Sequence, residues 1–248
     1  MITWAHVILD LPEAARSADE PFWSSVFGGS LADPWDGHPE LASFLPPAGD
    51  RSVHRQLVGD GPPRVHLDLE VDDLQAETER LRLLGATPGR RVGEEWVTLS
   101  SPGGAVFCLV IGPASQDRPP PVVGAGGVRR RLVQVCLDIP PGRSHEEAAF
   151  WRSVVPWRWE EVQDPEFLGR LVPPPGAPLQ LLLQELGPDD GGATVRAHLD
   201  VGSDDREATA TELVGLGALR LGEGDGWVLL QDPAGMAFCV TAHPPDRP

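Results

Sequence analysis

Trp96-Val97-x-Leu99, followed by Pro102-x-Gly104-x-x-Phe107-Cys108, returns in the same order as Trp227-Val228-x-Leu230 and Pro233-x-Gly235-x-x-Phe238-Cys239. Outward from this segment, Leu84-Gly85-Ala86 returns as Leu216-Gly217-Ala218 and His66-Leu67-Asp68 as His198-Leu199-Asp200. Phe22-Trp23 returns as Phe150-Trp151. The offset stays within about 128 to 132 positions, a period far too long for a solenoid, so the chain is a duplicated domain. Between the copies, Gly112-Pro113 to Gly126-Gly127, with Pro119-Pro120-Pro121, has linker composition. The expected division is copy one at 1–113, a linker at 114–131 and copy two at 132–243. Arg129-Arg130-Arg131, just past the glycines, reads as a solvated edge.

Each copy reads as two βαβββ units. His6-Val7-Ile8-Leu9 and Leu132 to Leu137 are short apolar strands. A helix follows each. Pro21 suits the first turn of one, and Ser144 with Glu147 reads as the capping box of the other. A strand from Val65 to Val71 leads to a second helix. Asp72 with Gln75 and Asp204 with Glu207 are start signals; Gly85 and Gly217 are stops. Ser101 to Gly104 and Asp232 to Gly235 are the turns of a closing hairpin. The fold class is therefore α+β, with a curved, cup-shaped mixed sheet in each copy.

Side chains alternate across a strand. Val65, Leu67, Leu69 and Val71 should pack on helices, leaving His66, Asp68 and Glu70 on the cup face. By the same parity that face receives Trp4 and His6, then His54 and Gln56, then Cys108. In copy two it receives Gln134, Cys136, Gln180, Gln184, His198, Asp200 and Cys239. Phe107 and Phe238 should point to helices. Trp4 shares the parity of His6 and is the candidate for stacking on a ligand; Trp35, Trp157 and Trp159 fall in loop-like stretches.

Composition excludes several chemistries. The 248 residues contain no Tyr, and all 20 basic residues are Arg. Without Lys there is no Schiff base, pyridoxal-phosphate anchor or P-loop lysine. The formal net charge of −17 argues against nucleic acid and is permissive for a cationic small molecule. Three cysteines, Cys108, Cys136 and Cys239, do not form a disulfide framework. The N-terminus lacks a signal-peptide pattern and no apolar run spans a membrane, so a cytoplasmic protein, monomer or homodimer, is expected.

These pieces together resemble the vicinal oxygen chelate superfamily: glyoxalase I, bleomycin- and fosfomycin-resistance proteins and extradiol dioxygenases. The matching residues are His6, Phe22-Trp23, Val65-His66-Leu67-Asp68, Leu84-Gly85-Ala86 and Pro102-x-Gly104-x-x-Phe107-Cys108, and the likeness extends over both copies, most closely to tandem glyoxalase-like proteins. The resemblance implies a divalent ion held on the cup-facing strands by His and Glu. The matching positions are His6, Gln56, His66 and Cys108, and in copy two Gln134, Gln184, His198 and Cys239. Cys replaces the last-strand Glu in both copies. The first expectation is therefore a metal-independent binder of a small, cationic molecule that sequesters a drug, with no cofactor. The second is a lyase, isomerase or dioxygenase-type metalloenzyme in which His6, His66 and Cys108 hold one ion such as zinc. The third is a partner-binding domain without catalysis. If a ligand or metal binds, the site should depend on His6 and His66 and weaken below pH ~6.5, the ordinary His value.

Overall fold

The computed structural model describes residues 2, 4–112, 117–190 and 192–247. Positions 113–116, at the end of copy one and within the expected linker, lie outside the described residues. The βαβββ pattern occurs four times. The first unit is β1 (Ala5–Pro12), α1 (Arg16–Phe27), β2 (Ser30–Leu31), β3 (Leu41–Leu45) and β4 (Val53–Val58). The second is β5 (Arg64–Glu70), α2 (Leu74–Leu83), β6 (Thr87–Val92), β7 (Trp96–Ser100) and β8 (Val106–Val110). A two-residue strand, β9 (Val122–Val123), falls in the linker and pairs with β10. The third unit is β10 (Arg129–Ile139), α3 (Ser144–Val154), β11 (Arg158–Glu160), β12 (Phe167–Val172) and β13 (Gln180–Glu185). The fourth is β14 (Arg196–Ser203), α4 (Arg206–Gly215), β15 (Leu219–Gly224), β16 (Trp227–Gln231) and β17 (Ala237–Thr241).

Each copy supplies one mixed sheet with open edges. The strand orders are β2-β3-β4-β1-β5-β8-β7-β6 and β11-β12-β13-β10-β14-β17-β16-β15. The central pairings are parallel: Asp68 on β5 lies opposite Cys108 on β8, and Asp200 on β14 opposite Cys239 on β17.

Packing divides the chain differently from the sequence repeat. One compact unit comprises Met1–Val7, His66–Gln116 and Val135–Ala197; the other comprises Ile8–Val65, Asp117–Gln134 and His198–Pro248. In the first, Phe107 packs on α3, its ring 5.2 Å from Trp151 and 6.1 Å from Phe150. In the second, Phe238 packs on α1, 5.1 Å from Trp23 and 5.9 Å from Phe22. Both phenylalanines thus face helices as parity requires, and burying such aromatic pairs adds edge-to-face attraction to area burial.

Several local expectations need correction. Helix α1 begins at Arg16, so Pro21 sits inside it. The extra turn carries the Arg16–Glu20 ion pair at 3.1 Å and buried Asp19, and Pro21 within the helix has no backbone N–H to donate. Ser144 and Glu147 form no capping box; the Glu147 carboxylate is buried and accepts from other groups. The start signals of α2 and α4 are shifted by one residue: Asp73 accepts from the Ala76 amide at 2.9 Å and Asp205 from Ala208 at 3.0 Å. Gly85 (φ 105°) and Gly217 (φ 113°) end these helices in the left-handed region as expected. Trp159 lies on β11, under the Arg152 guanidinium at 4.9 Å.

The arginine run is not a solvated edge. Arg130 and Arg131 are buried in the second unit. Arg130 donates to Glu212 and to the carbonyls of Ser25 and Val26, closing the last turn of α1. Arg131 donates to the Pro245 carbonyl, and burial lowers its guanidinium to about 9. Arg129 alone is partly exposed, paired with Asp204 and Asp246.

Candidate functional site

The first unit brings His66, Asp68 and Cys108 together. His66 and Asp68 are two apart on β5 and so share a face, and the parallel register sets Cys108 beside Asp68. One ligand atom from each lies within 4.8 Å of the other two. His66 Nε2 is 3.4 Å from Asp68 Oδ1. Asp68 Oδ1 is buried without a hydrogen-bond partner, a costly state for a carboxylate oxygen. Burial first, and Asp68 second, push the Cys108 thiol up; His66 and Thr98 act against this.

His6 does not join that cluster. Its Nε2 is 2.8 Å from Glu70 Oε1, both side chains being buried. Glu70 lies so close over Gly112 that a Cβ there would clash with its Cγ and Cδ. Trp4 is 1% exposed, its ring 6.3 Å from that of His6. In the same unit the Cys136 thiol donates to Gln184 Oε1 at 3.6 Å.

The second unit repeats the cluster with His198, Asp200 and Cys239. His198 Nε2 is again 3.4 Å from Asp200 Oδ1. Here Gln134, the counterpart of His6, donates from Nε2 to Asp200 Oδ2. No Glu70 counterpart exists: the position is Gly202, where a Cβ would stand 2.6 Å from the His243 carbonyl oxygen. His54 and Gln56 also belong to this unit. His54 Nδ1 is 2.9 Å from Ser43 Oγ, and its ring meets Trp35 edge-on at 5.2 Å. Gln56 is half-buried on β4 opposite Leu41. The three cysteines form no disulfide and are buried.

Parity alone put Glu70 on the face of His66. Its pairing with His6 depends on how β1 lies beside β5, and no residue pattern records that alignment. Asp68 and Asp200 as third donors follow from the same strand, since a His-x-Asp pair on one face needs only a ligand on the neighbouring strand.

The donors present can be weighed against a bound ion. Nitrogen, oxygen and sulfur from His66, Asp68 and Cys108 are a zinc-type set. The bare oxygen of Asp68 fits a cation. Among the described residues this cluster holds one His, so a two-His, one-carboxylate set, which suits non-haem iron, is not assembled in it; His6 lies against Glu70. The clusters favour a divalent ion over the expectation of no cofactor.

The Glyoxalase-like domain profile matches residues 6–110 and 134–241. The chain therefore belongs to the glyoxalase-like domain family, in two copies. It is similar in structure to a mutant of 4-hydroxymandelate synthase from Streptomyces coelicolor, with 16% identity, TM-score 0.59 and coverage of 97% of this chain and 92% of that one. Homoprotocatechuate 2,3-dioxygenase from Arthrobacter globiformis gives 13% identity and TM-score 0.61, over 97% of this chain and 79% of that one. The 2,2',3-trihydroxybiphenyl 1,2-dioxygenase of Sphingomonas wittichii gives 12% and 0.60, over 97% and 90%. At these identities the likeness establishes the fold. No curated protein matches the chain in sequence. No helix among the described residues is long and apolar enough to cross a membrane.

Proposed function

We propose that the protein acts on, or holds, a small oxygen-bearing molecule at the His66–Asp68–Cys108 cluster, with a divalent ion such as zinc bound by those three side chains. The observation that carries this reading is the difference between two otherwise matching clusters: Asp68 Oδ1 accepts no hydrogen bond and faces the His66 imidazole at 3.4 Å, whereas in the second cluster Gln134 donates to Asp200 Oδ2. A carboxylate oxygen that is itself buried and accepts no hydrogen bond is poised for a cation. The fold neighbours are named as dioxygenases and a synthase, which supports catalysis on a small substrate rather than a partner-binding role. When bound, zinc would supply Lewis-acid polarisation of a substrate oxygen without redox chemistry, which fits a lyase or isomerase better than a dioxygenase. His66, Asp68 and Cys108 hold and orient the reacting end. The net charge of −17 favours a cationic substrate at long range.

Elemental analysis of protein purified without chelator tests the reading. Wild type should carry zinc near one equivalent; His66→Ala and Cys108→Ser should lose it and His198→Ala should keep it. Wild type holding under ~0.1 equivalent even after reconstitution would overturn the metal site and leave metal-free sequestration. Equal loss from His66→Ala and His198→Ala would overturn the assignment to this cluster.

A further inference from the structure

Both units fasten a helix to a hairpin turn with a buried acid, but the chemistry differs. In the first unit Glu147 on α3 accepts from the Ser101 hydroxyl at 2.9 Å, from the Gly103 amide, and from the Trp151 indole at 3.0 Å. In the second, the helix acid is Asp19 on α1 and the turn residue matching Ser101 is a second acid, Asp232. Asp19 Oδ1 accepts from the Ala234 amide at 3.1 Å. Asp232 accepts from the Trp23 indole at 3.0 Å and the Met236 amide at 2.7 Å. The two carboxyls are 0% and 3% exposed and lie at the same turn: Asp19 accepts from the amide of Ala234, two residues after Asp232, and Asp232 accepts from the indole of Trp23, four residues after Asp19 on α1. Asp19 Oδ2 is buried with no N–H or hydroxyl partner.

We propose that Asp19 and Asp232 share one proton and so form an alkali-released latch between α1 and the β16–β17 turn. Two carboxylates in contact inside protein cannot both ionise without strong repulsion, and a proton between them turns that repulsion into a hydrogen bond. The groups that act on Asp19 are Asp232, the Ala234 amide and the Trp23 indole; on Asp232 they are the amides of Met236, Ala234 and Gly235 and the same indole. No guanidinium is among them. The charged side chains next along α1, Arg16 and Glu20, pair with each other, and Arg55 on β4 also pairs with Glu20. Burial, then Asp232, push Asp19 up to about 8, and burial raises Asp232.

The sign follows. A carboxyl raised in the folded chain holds a proton that the unfolded chain has already released above the ordinary carboxylate range. Stability from the latch therefore falls as pH rises from that range towards about 8, and levels off above it.

The indole N–H resonance of Trp23 in the full-length protein reports the latch directly, because that proton is donated to Asp232. Trp23→Phe assigns it. The expected result is a titration of this resonance with a midpoint near pH 8, with the Trp151 resonance unmoved. Asp19→Asn should abolish the titration, and the wild-type Tm should fall relative to that variant between about pH 5 and pH 8. Asp232→Ser, which reproduces the Ser101 arrangement of the first unit, should abolish it too and keeps the test open if Asp19→Asn does not fold. Glu147→Gln should leave it in place. A Trp23 resonance constant from pH 6 to pH 10, or a midpoint retained in either Asp19→Asn or Asp232→Ser, would overturn the latch.

Discussion

In the first compact unit a single carboxyl, Glu147, serves a hydroxyl, an amide and an indole; in the second, the corresponding work is divided between Asp19 and Asp232. Side-chain length accounts for the difference. A Glu reaches from the helix into the turn, and the turn answers with Gly103, where a Cβ would stand 2.6 Å from Glu147 Oε1. Asp19 is one methylene shorter, so the turn tolerates Ala234, and the turn's own Asp232 takes over the indole. One duplicated frame thus holds two locally consistent solutions, and exchanging one member of either set breaks it.

The largest effect separating the two should come from the indoles. Trp151 packs edge-on or tilted among Phe107 and Phe150 beside Glu147, and Trp23 stacks on Phe27 and meets Phe22 and Phe238 edge-on beside Asp232. Replacing either by Ala should cost about 3–5 kcal/mol in urea unfolding. Trp23→Ala should lie at the upper end, since it also takes a donor from Asp232 beside Asp19, whereas Glu147 keeps Ser101 and Gly103 without Trp151. Equal costs would mean that the polar difference between the units has no energetic weight.

A smaller effect tests the asymmetry of the two clusters. Glu70 sits over Gly112, while its counterpart Gly202 sits under the His243 carbonyl. Gly112→Ala should push Glu70 away and release His6, at a cost of about 1–3 kcal/mol. If the released imidazole reaches the His66–Asp68–Cys108 cluster, zinc affinity should rise despite the lost stability. Unchanged affinity and stability together would show that Glu70 does not hold His6 in place.

The repeat itself, the four βαβββ units and the inward phenylalanines were legible because each depends on local pattern or on the twofold recurrence of motifs. Strand parity also placed His66, Asp68 and Cys108 on one face. What was not legible depended on contacts between distant segments. Ser144-x-x-Glu147 has the form of a capping box, yet Glu147 is drawn to the Ser101 turn because two donors there, with the Trp151 indole of its own helix, outweigh one amide at the helix start. Arg130 and Arg131 look solvated in a run of three, yet the second unit supplies carbonyls from residues 25, 26 and 245. Strand parity groups His6 with His66 and Cys108, and only the three-dimensional register sets it against Glu70.

The smallest effect comes from a place where the copies agree. Asp73 and Asp205 cap α2 and α4 with nearly the same geometry, each accepting from the amide three residues on, at 2.9 and 3.0 Å. Their backbones match, with φ and ψ of −139° and 102° for Asp73 and −144° and 98° for Asp205. Both helices have ten residues and end at a left-handed glycine. A side-chain cap satisfies one of the amides left bare at a helix start, so replacing either Asp by Ala should cost about 1 kcal/mol. Since Asp73 and Asp205 lie in different compact units, the costs report those units separately and should add in the double variant. A cost at Asp205 far above that at Asp73 would mean that the second unit is the weaker body throughout. The strain at Asp19 and Asp232 would then reflect a general looseness of that unit. Equal, additive costs would confine the difference between the units to the buried acids and the two His–Asp–Cys clusters.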